Sequence, residues 1–220
     1  MTRDRSIGWA ERTWNVATGC TRGCPWCYAR EMHHRFERVW GYDFKPLFHA
    51  ERLKDPYIWR KPSRVFVCSM GELFEQPRPN IEKVLQVCGE NPMHRFLILT
   101  QRAEELKKYH YPDNIWLGVT VTERVDEDRI WILKNTDAKI KFVSFEPLHG
   151  PMRRSLDLGG INWVIIGGRR KVTYPNYIPK YVPPRAWVEH IIAEARRVGA
   201  AVFLKYNLEW GEVVREWPRG

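Results

Sequence analysis

Arg64-Val65-Phe66-Val67-Cys68-Ser69-Met70-Gly71-Glu72-Leu73-Phe74 is the stretch on which the fold turns. Its first half is a nearly continuous apolar run. A strand with only one buried face would alternate, so this run predicts a strand covered on both faces, as in a parallel sheet. It opens into the polar turn 69–72, after which Asn80 is placed to cap a helix whose Ile81, Val84, Leu85 and Cys88 share a face, with Gly89 as its stop. Strand, polar turn and helix make one unit.

The unit recurs downstream. Strands are predicted over 95–100, 115–121, 139–144, 162–166 and 201–205, and helices over 103–109, around 125–134 and along Trp187, Ile191, Ala195 and Val198, which Gly199 ends. Upstream, 7–16 is rich in β-formers and supplies a first strand, for about seven in all. Residues 28–40 form a helix with Met32, Phe36, Val39 and Trp40 as its apolar stripe, His33, His34 and the arginines on a solvated side, and Gly41 as its stop. Residues 41–63, with Pro46, Pro56 and Pro62, read as a long connection holding one short helix.

Alternating strands and helices imply an α/β fold of parallel strands joined by right-handed crossovers, in an open sheet or a barrel. The length suits a single domain over 1–220. Polar residues gather at the C-terminal end of nearly every strand: Ser69 and Glu72; Thr100 and Gln101; Thr120, Thr122 and Glu123; Ser144 and Glu146; Gly167 and Gly168; Lys205 and Tyr206. That edge binds ligands in both architectures.

The first predicted strand leads into Gly19-Cys20-Thr21-Arg22-Gly23-Cys24-Pro25-Trp26-Cys27-Tyr28, which holds three of the chain's five cysteines. Three soft ligands spaced Cys-x-x-x-Cys-x-x-Cys point to a metal centre. Structural zinc sites close with four ligands in paired Cys-x-x-Cys spacings, so a zinc site here needs His33, His34 or a distant residue to complete it. Three thiolates on an iron–sulfur cluster leave one iron open to a small molecule, the reading we favour. Cys68 and Cys88 read as small core residues.

Eleven tryptophans and a formal charge of +10 make a basic, aromatic chain, a combination that attracts phosphates and stacks on bases. Solvated Lys and Arg over a tryptophan-filled core account for it equally well, and Trp40, Trp59, Trp116, Trp131, Trp163 and Trp187 are read as core. The first fifteen residues lack a signal-like apolar run, and no segment approaches the roughly 18 apolar residues of a membrane span. A cytoplasmic protein without a membrane partner is therefore expected.

The three-cysteine loop before a βα repeat resembles the radical S-adenosylmethionine (SAM) superfamily. Thr13-Trp14-Asn15, Thr18-Gly19-Cys20, Cys27-Tyr28-Ala29, Ser69-Met70, Ser144-Phe145-Glu146-Pro147-Leu148 and the stretch from Trp163 to Gly168 resemble an uncharacterised phage- and prokaryote-associated radical-SAM-like family within it. The resemblance implies a partial (β/α) barrel of six to seven parallel strands. It implies that Cys20, Cys24 and Cys27 hold one 4Fe-4S cluster, that SAM chelates the open iron, and that an electron donor triggers cleavage to a 5'-deoxyadenosyl radical which takes hydrogen from a substrate. Carried over by position, Ser69, Met70, Gly71 and Glu72 meet the SAM amino group. Thr120, Thr122 and Glu123 meet its ribose or carboxylate, Gly167 and Gly168 its adenine or methionine, and Ser144 and Glu146 lie on the same rim. Lys205 and Tyr206 are the candidates for orienting the substrate or relaying hydrogen.

Glu72, Glu123 and Glu146 could equally be caps of the helices that follow them. The smaller family tends to carry Glu-Ser after the double glycine, whereas Arg169-Arg170-Lys171 stand here, a triplet suited to phosphate. DNA or RNA is thus one substrate class for modification or repair. The competing reading is a non-catalytic basic nucleic-acid-binding protein with a structural iron–sulfur or zinc site.

Overall fold

The apolar runs become strands, and their order in space follows their order in the chain. A computed structural model describes residues 7–41, 43–173 and 176–219, and the side chains of all of these except 37–40. Its main sheet contains β1 (Arg12–Trp14), β4 (Arg64–Val67), β5 (Arg95–Thr100), β6 (Ile115–Thr120), β7 (Ile140–Phe145), β8 (Trp163–Ile166) and β9 (Ala201–Leu204). They lie side by side in that order, every pair parallel. Crossovers that all wind the same way put the connecting helices on one face and curl the sheet into a half-barrel. The expected partial (β/α) barrel is the observed architecture.

Alternate residues of each strand serve two separate cores. On the convex face Val65, Ile98, Leu117, Val143, Val164 and Val202 pack beneath α3 (Arg78–Glu90), α4 (Asp128–Lys134) and α5 (Arg185–Arg197). On the concave face Phe66, Leu97, Trp116, Phe142, Trp163 and Phe203 close around Trp9. Trp9 touches Phe66 of β4 at 4.6 Å and Trp163 of β8 at 6.1 Å between ring centroids, contacts that a flat sheet could not bring together. Gly118 leaves room for this plug, since a Cβ there would stand 2.4 Å from the Phe142 ring. The C-terminal segment completes the floor: Arg215 bridges to Phe203 on β9, and the Trp217 indole donates to the Trp9 carbonyl at 3.3 Å.

Several local expectations are corrected. Only Arg12–Trp14 of the predicted first strand joins the sheet. Ala17–Thr18 (β2) pairs antiparallel with Leu47–Phe48 (β3), and the connection then forms a 3-10 turn at Ala50–Lys54 followed by α2 (Asp55–Ile58). Helix α3 starts at Arg78, ahead of Asn80, because Pro79 supplies first-turn geometry without needing its missing N–H; it runs through Gly89 to Glu90. Residues 103–108 form a 3-10 helix, and another precedes α4 at Arg124–Asp126.

Helix α1 (Tyr28–Trp40) sits opposite to the expected way: Met32 and Phe36 are exposed and His33 is buried. Its inward side carries Glu31, which takes up polar partners, so an ion pair overrides the apolar stripe. The expectations for Arg38, Val39 and Trp40 lie outside the described side chains, and Tyr174 and Pro175 lie outside the described residues. Trp116 and Trp163 are core, Trp59 and Trp187 are half-buried against it, and Trp131 is exposed, with the Lys107 ammonium 4.4 Å from its ring centroid. Among the described residues no helix is long and apolar enough to cross a membrane.

Candidate functional site

The cysteine loop is fastened to the C-terminal rim by backbone. Cys68, just past β4, adopts the left-handed region (φ 56), a conformation that costs a non-glycine residue about 1 kcal/mol, and its N–H donates to the Trp14 carbonyl of β1 at 2.9 Å. The turn then pairs with the residues entering the loop: Gly19 N–H donates to the Met70 carbonyl at 2.9 Å, and Glu72 N–H to the Gly19 carbonyl at 3.0 Å. Gly71, opposite Gly19, has no space for a side chain, since a Cβ would lie 2.7 Å from the Gly19 oxygen. Asn15 Oδ1 adds two contacts, accepting from the Ser69 hydroxyl and from Met70 N–H, both at 3.1 Å. The Tyr28 hydroxyl donates to the Ser69 carbonyl from the far side of the loop.

All three loop cysteines are free and half-buried, and each sulfur faces an N–H. Arg22 N–H lies 3.4 Å from Cys20 Sγ, Arg30 N–H 3.4 Å from Cys27 Sγ, and Gln101 Nε2 3.8 Å from Cys24 Sγ. Burial pushes the Cys20 thiol up to about 12, against the pull of Arg22 N–H and with the Glu75 and Glu72 carboxylates adding to the rise. Burial likewise raises Cys27. A bound cation is what converts such groups to thiolates. Among the described residues no three His, Cys, Asp or Glu side chains gather as a single-ion site. A cluster makes a different demand, one thiolate per iron with N–H donors tuning the sulfurs, and the chemistry of this donor set fits it. A cavity of about 220 Å³ opens against Cys24, Cys27 and Arg30, with Asn176 and Ile178 on its other side. A larger open cavity, about 760 Å³, lies by the Arg196–Glu216 ion pair, before the N-terminal ends of β8 and β9, and contains no thiol.

Two carboxylates support the loop in different ways. Glu72 is buried, and it accepts from Thr100 Oγ1 at 2.9 Å and from the N–H groups of Phe74 at 3.1 Å and Gln101 at 3.4 Å. Burial outweighs these bonds and lifts its carboxyl to about 7. The Phe74 bond makes Glu72 a cap of the following turn as well. Glu75, with 4% of its side chain exposed, grips Thr21 through its N–H (2.9 Å) and hydroxyl (2.7 Å), and Arg102 at 2.7 Å. Burial works to raise Glu75, but hydrogen bonds from Arg102 and Thr21 prevail and hold it below the usual carboxylate range.

The opposite rim is uneven. Thr120 and Ser144 are buried and pair in register on the concave side. The Thr122 hydroxyl is taken by Asp126 at 2.7 Å, and Glu123 is exposed with no capping bond. Glu146 forms an ion pair with Lys205 at 2.6 Å, and Gly167 leaves room for it, a Cβ there falling 3.0 Å from the Glu146 carboxyl carbon. Gly168 faces elsewhere: Asn207 Oδ1 takes its N–H at 3.1 Å, and a Cβ would stand 2.6 Å from the Tyr181 carbonyl. Tyr206 is exposed. The structure thus assembles Cys20, Cys24, Cys27, Ser69, Gly71 and Glu72 around one loop, with Thr120, Ser144, Glu146, Gly167 and Lys205 on the other strands, and turns Thr122, Glu123, Gly168 and Tyr206 to other partners or to solvent.

Sequence reasoning missed Asn15, Thr21, Glu75 and Arg102 as loop supports, and Glu31 as the anchor of Arg170. Glu75 lies three residues past Glu72, a spacing that hinted at it; Glu31 and Arg170 are 139 residues apart, and no local signal links them. His149 was missed too, and it meets Trp26 of the cysteine loop edge-on at 4.4 Å. In comparison with known proteins, the family described as "Protein of unknown function (DUF5131)" matches residues 4–217. No curated protein and no solved structure matches the chain.

Proposed function

We propose, on the premise that the chain belongs to the DUF5131 family over residues 4–217, that it is a cytoplasmic radical SAM enzyme. Cys20, Cys24 and Cys27 would hold a 4Fe-4S cluster at the mouth of the half-barrel. When bound and reduced by an electron donor, the cluster and SAM supply a 5'-deoxyadenosyl radical that takes hydrogen from a substrate. The observation that carries this reading is the backbone rung between Gly19 and Gly71, which fixes three free cysteines beside the buried Glu72 on a parallel-strand rim. Five cysteines without a disulfide among them suit a reducing compartment.

The chain's own groups divide the remaining tasks. Residues 69–72 would receive the SAM amino group, with Glu72 able to accept its proton near neutrality. Thr120 and Ser144 take precedence over Thr122 and Glu123 for the ribose or carboxylate, because Asp126 already occupies Thr122 and Glu123 faces solvent. Gly167 would take precedence over Gly168 by its place beside Glu146 on the rim, the backbones of both being engaged, Gly167 with Phe145 and Leu148 and Gly168 with Asn207. Lys205, paired with Glu146, is better placed than the exposed Tyr206 to orient a substrate.

Anaerobic reconstitution with iron and sulfide is the test. Wild-type protein should turn brown and release 5'-deoxyadenosine from SAM on adding dithionite, and Cys24→Ala should lose both the colour and the product. A colourless protein that instead takes up one zinc per chain would overturn the reading.

A further inference from the structure

The 220 Å³ cavity beside the cysteines is walled on one side by a segment of unusual composition. Between residues 168 and 188 stand Arg169, Arg170, Lys171, Lys180 and Arg185, with no Asp or Glu, so this stretch supplies +5 of the chain's +10. It folds as a strap with antiparallel bridges between Arg169 and Tyr181 and between Val172 and Ile178. The strap is tied down onto α1 by Glu31, which pairs with Arg170 and accepts from Thr173 N–H at 2.7 Å. Lys180 and Arg185 are also neutralised, by Glu209 and Glu189.

Two cations of the strap remain without a carboxylate among the described residues. Arg169 lies 5.6 Å from the Tyr181 ring centroid and bonds only to the Pro179 carbonyl and to His149 Nε2, at 3.2 Å each. Lys171 is exposed. Tyr177, on the returning arm beside Asn176 and Ile178 of the cavity wall, shows 68% of its surface to solvent. Glu31 therefore spends its charge on fastening the strap, while Lys171 and the Tyr177 ring stand exposed on it and the half-buried Arg169 has no carboxylate partner among the described residues.

We propose that this strap grips a single-stranded nucleic acid, with Arg169 and Lys171 on its phosphates and Tyr177 against a base, and so presents the strand to the mouth. Cations alone would suit any polyanion; the exposed ring adds a demand for a flat partner, and only an unpaired base offers its π-face. The inference names the substrate class for the proposed enzyme and rests on that reading for its purpose, but the grip itself requires neither cluster nor SAM.

Fluorescence anisotropy with a labelled oligothymidylate and an oligouridylate, over a series of salt concentrations and without SAM, tests it. Tyr177→Ala should weaken binding about tenfold with an unchanged salt slope, as the loss of one base stack implies. Lys171→Ala should lower the slope of log K against log salt by about one, and Lys83→Ala, on an exposed position of α3, should behave as wild type. The proposal is overturned if wild type does not bind at low salt, if both strap variants bind as Lys83→Ala does, or if a duplex or polyglutamate competes as well as the single strand. Strap variants that lose 5'-deoxyadenosine release while keeping full oligonucleotide affinity would overturn it too. Wild type that binds the oligonucleotide but takes up no cluster would support the strap's role and sink the enzymatic reading alone.

Discussion

The two ends of the half-barrel use the same alternate positions of the same strands for opposite purposes. Toward the floor these positions are Phe66, Leu97, Trp116, Phe142, Trp163 and Phe203, a dry cluster closed by Trp9. At and just past the other ends of these strands stand Glu72, Gln101, Thr120, Ser144, Glu146 and Lys205, and rim groups are satisfied locally, Glu72 by Thr100 and Glu146 by Lys205. Pleat decides which face a side chain joins, and position along the strand decides whether it packs in the dry floor or stays polar at the rim. The division frees the rim from holding the fold together, the arrangement on which barrel enzymes depend.

The largest expected effect tests the floor. Trp163 touches Trp9, Trp116, Phe142 and Phe203, at centroid distances between 5.4 and 6.3 Å. Trp163→Ala should cost about 3–5 kcal/mol, read as a fall in urea midpoint with an unchanged m-value. Among the described residues its indole N–H has no hydrogen-bond partner, so Trp163→Phe should recover much of the loss by keeping a ring and deleting the unpaired donor. If alanine costs less than about 1 kcal/mol, the floor is not the stabilising end and the contrast fails.

The same contrast explains what was legible in the sequence. Runs such as Phe96-Leu97-Ile98-Leu99 announce buried parallel strands because both faces are apolar, and the polar residue that follows each run announces the rim. The three cysteines were legible because their spacing is local. What could not be read is what the rim does with its charges. The burial of Glu31 in α1 depends on Arg170, which lies beyond five more strands of the sheet, so a periodicity argument turned the helix the wrong way round. The partners of Glu75 are marked by no local pattern, because Thr21 and Arg102, which converge on it, come from distant parts of the chain. Trp131 fits an apolar helix position by spacing, yet Lys107 covers its exposed ring.

A rim residue gives the next effect, and it has the opposite sign. Glu72 keeps its proton to about pH 7 when folded because burial penalises its charge, whereas the unfolded chain releases it near the ordinary value of 4.5. Between those values the folded state binds more protons. Stability therefore falls as pH rises from about 4.5 to about 7 and levels off above it. Glu72→Gln removes this contribution, so the stability of the variant relative to wild type should rise across that window by an amount on the order of 3 kcal/mol. Denaturation curves at matched pH values measure it. Parallel pH profiles for the two proteins would mean that the buried carboxyl carries no such cost and that the rim is electrostatically no different from the surface.

The smallest effect asks how little the rim contributes to folding. Lys205 and Glu146 are paired at 2.6 Å, with side chains 16% and 25% exposed, so water screens the pair in part and either partner can be solvated alone. Removing Lys205 should not incur the penalty of a stranded buried charge, which reaches about 3–5 kcal/mol; it should forfeit an amount nearer the value of accessible ion pairs, about 1 kcal/mol. Lys205→Met, which keeps the length of the stem, isolates the charge. A midpoint shift no larger than that, against the collapse expected of Trp163→Ala, would keep floor and rim distinct. A loss approaching the tryptophan's would show that Glu146 depends on its partner for burial, and that the two ends of the sheet hold the fold together.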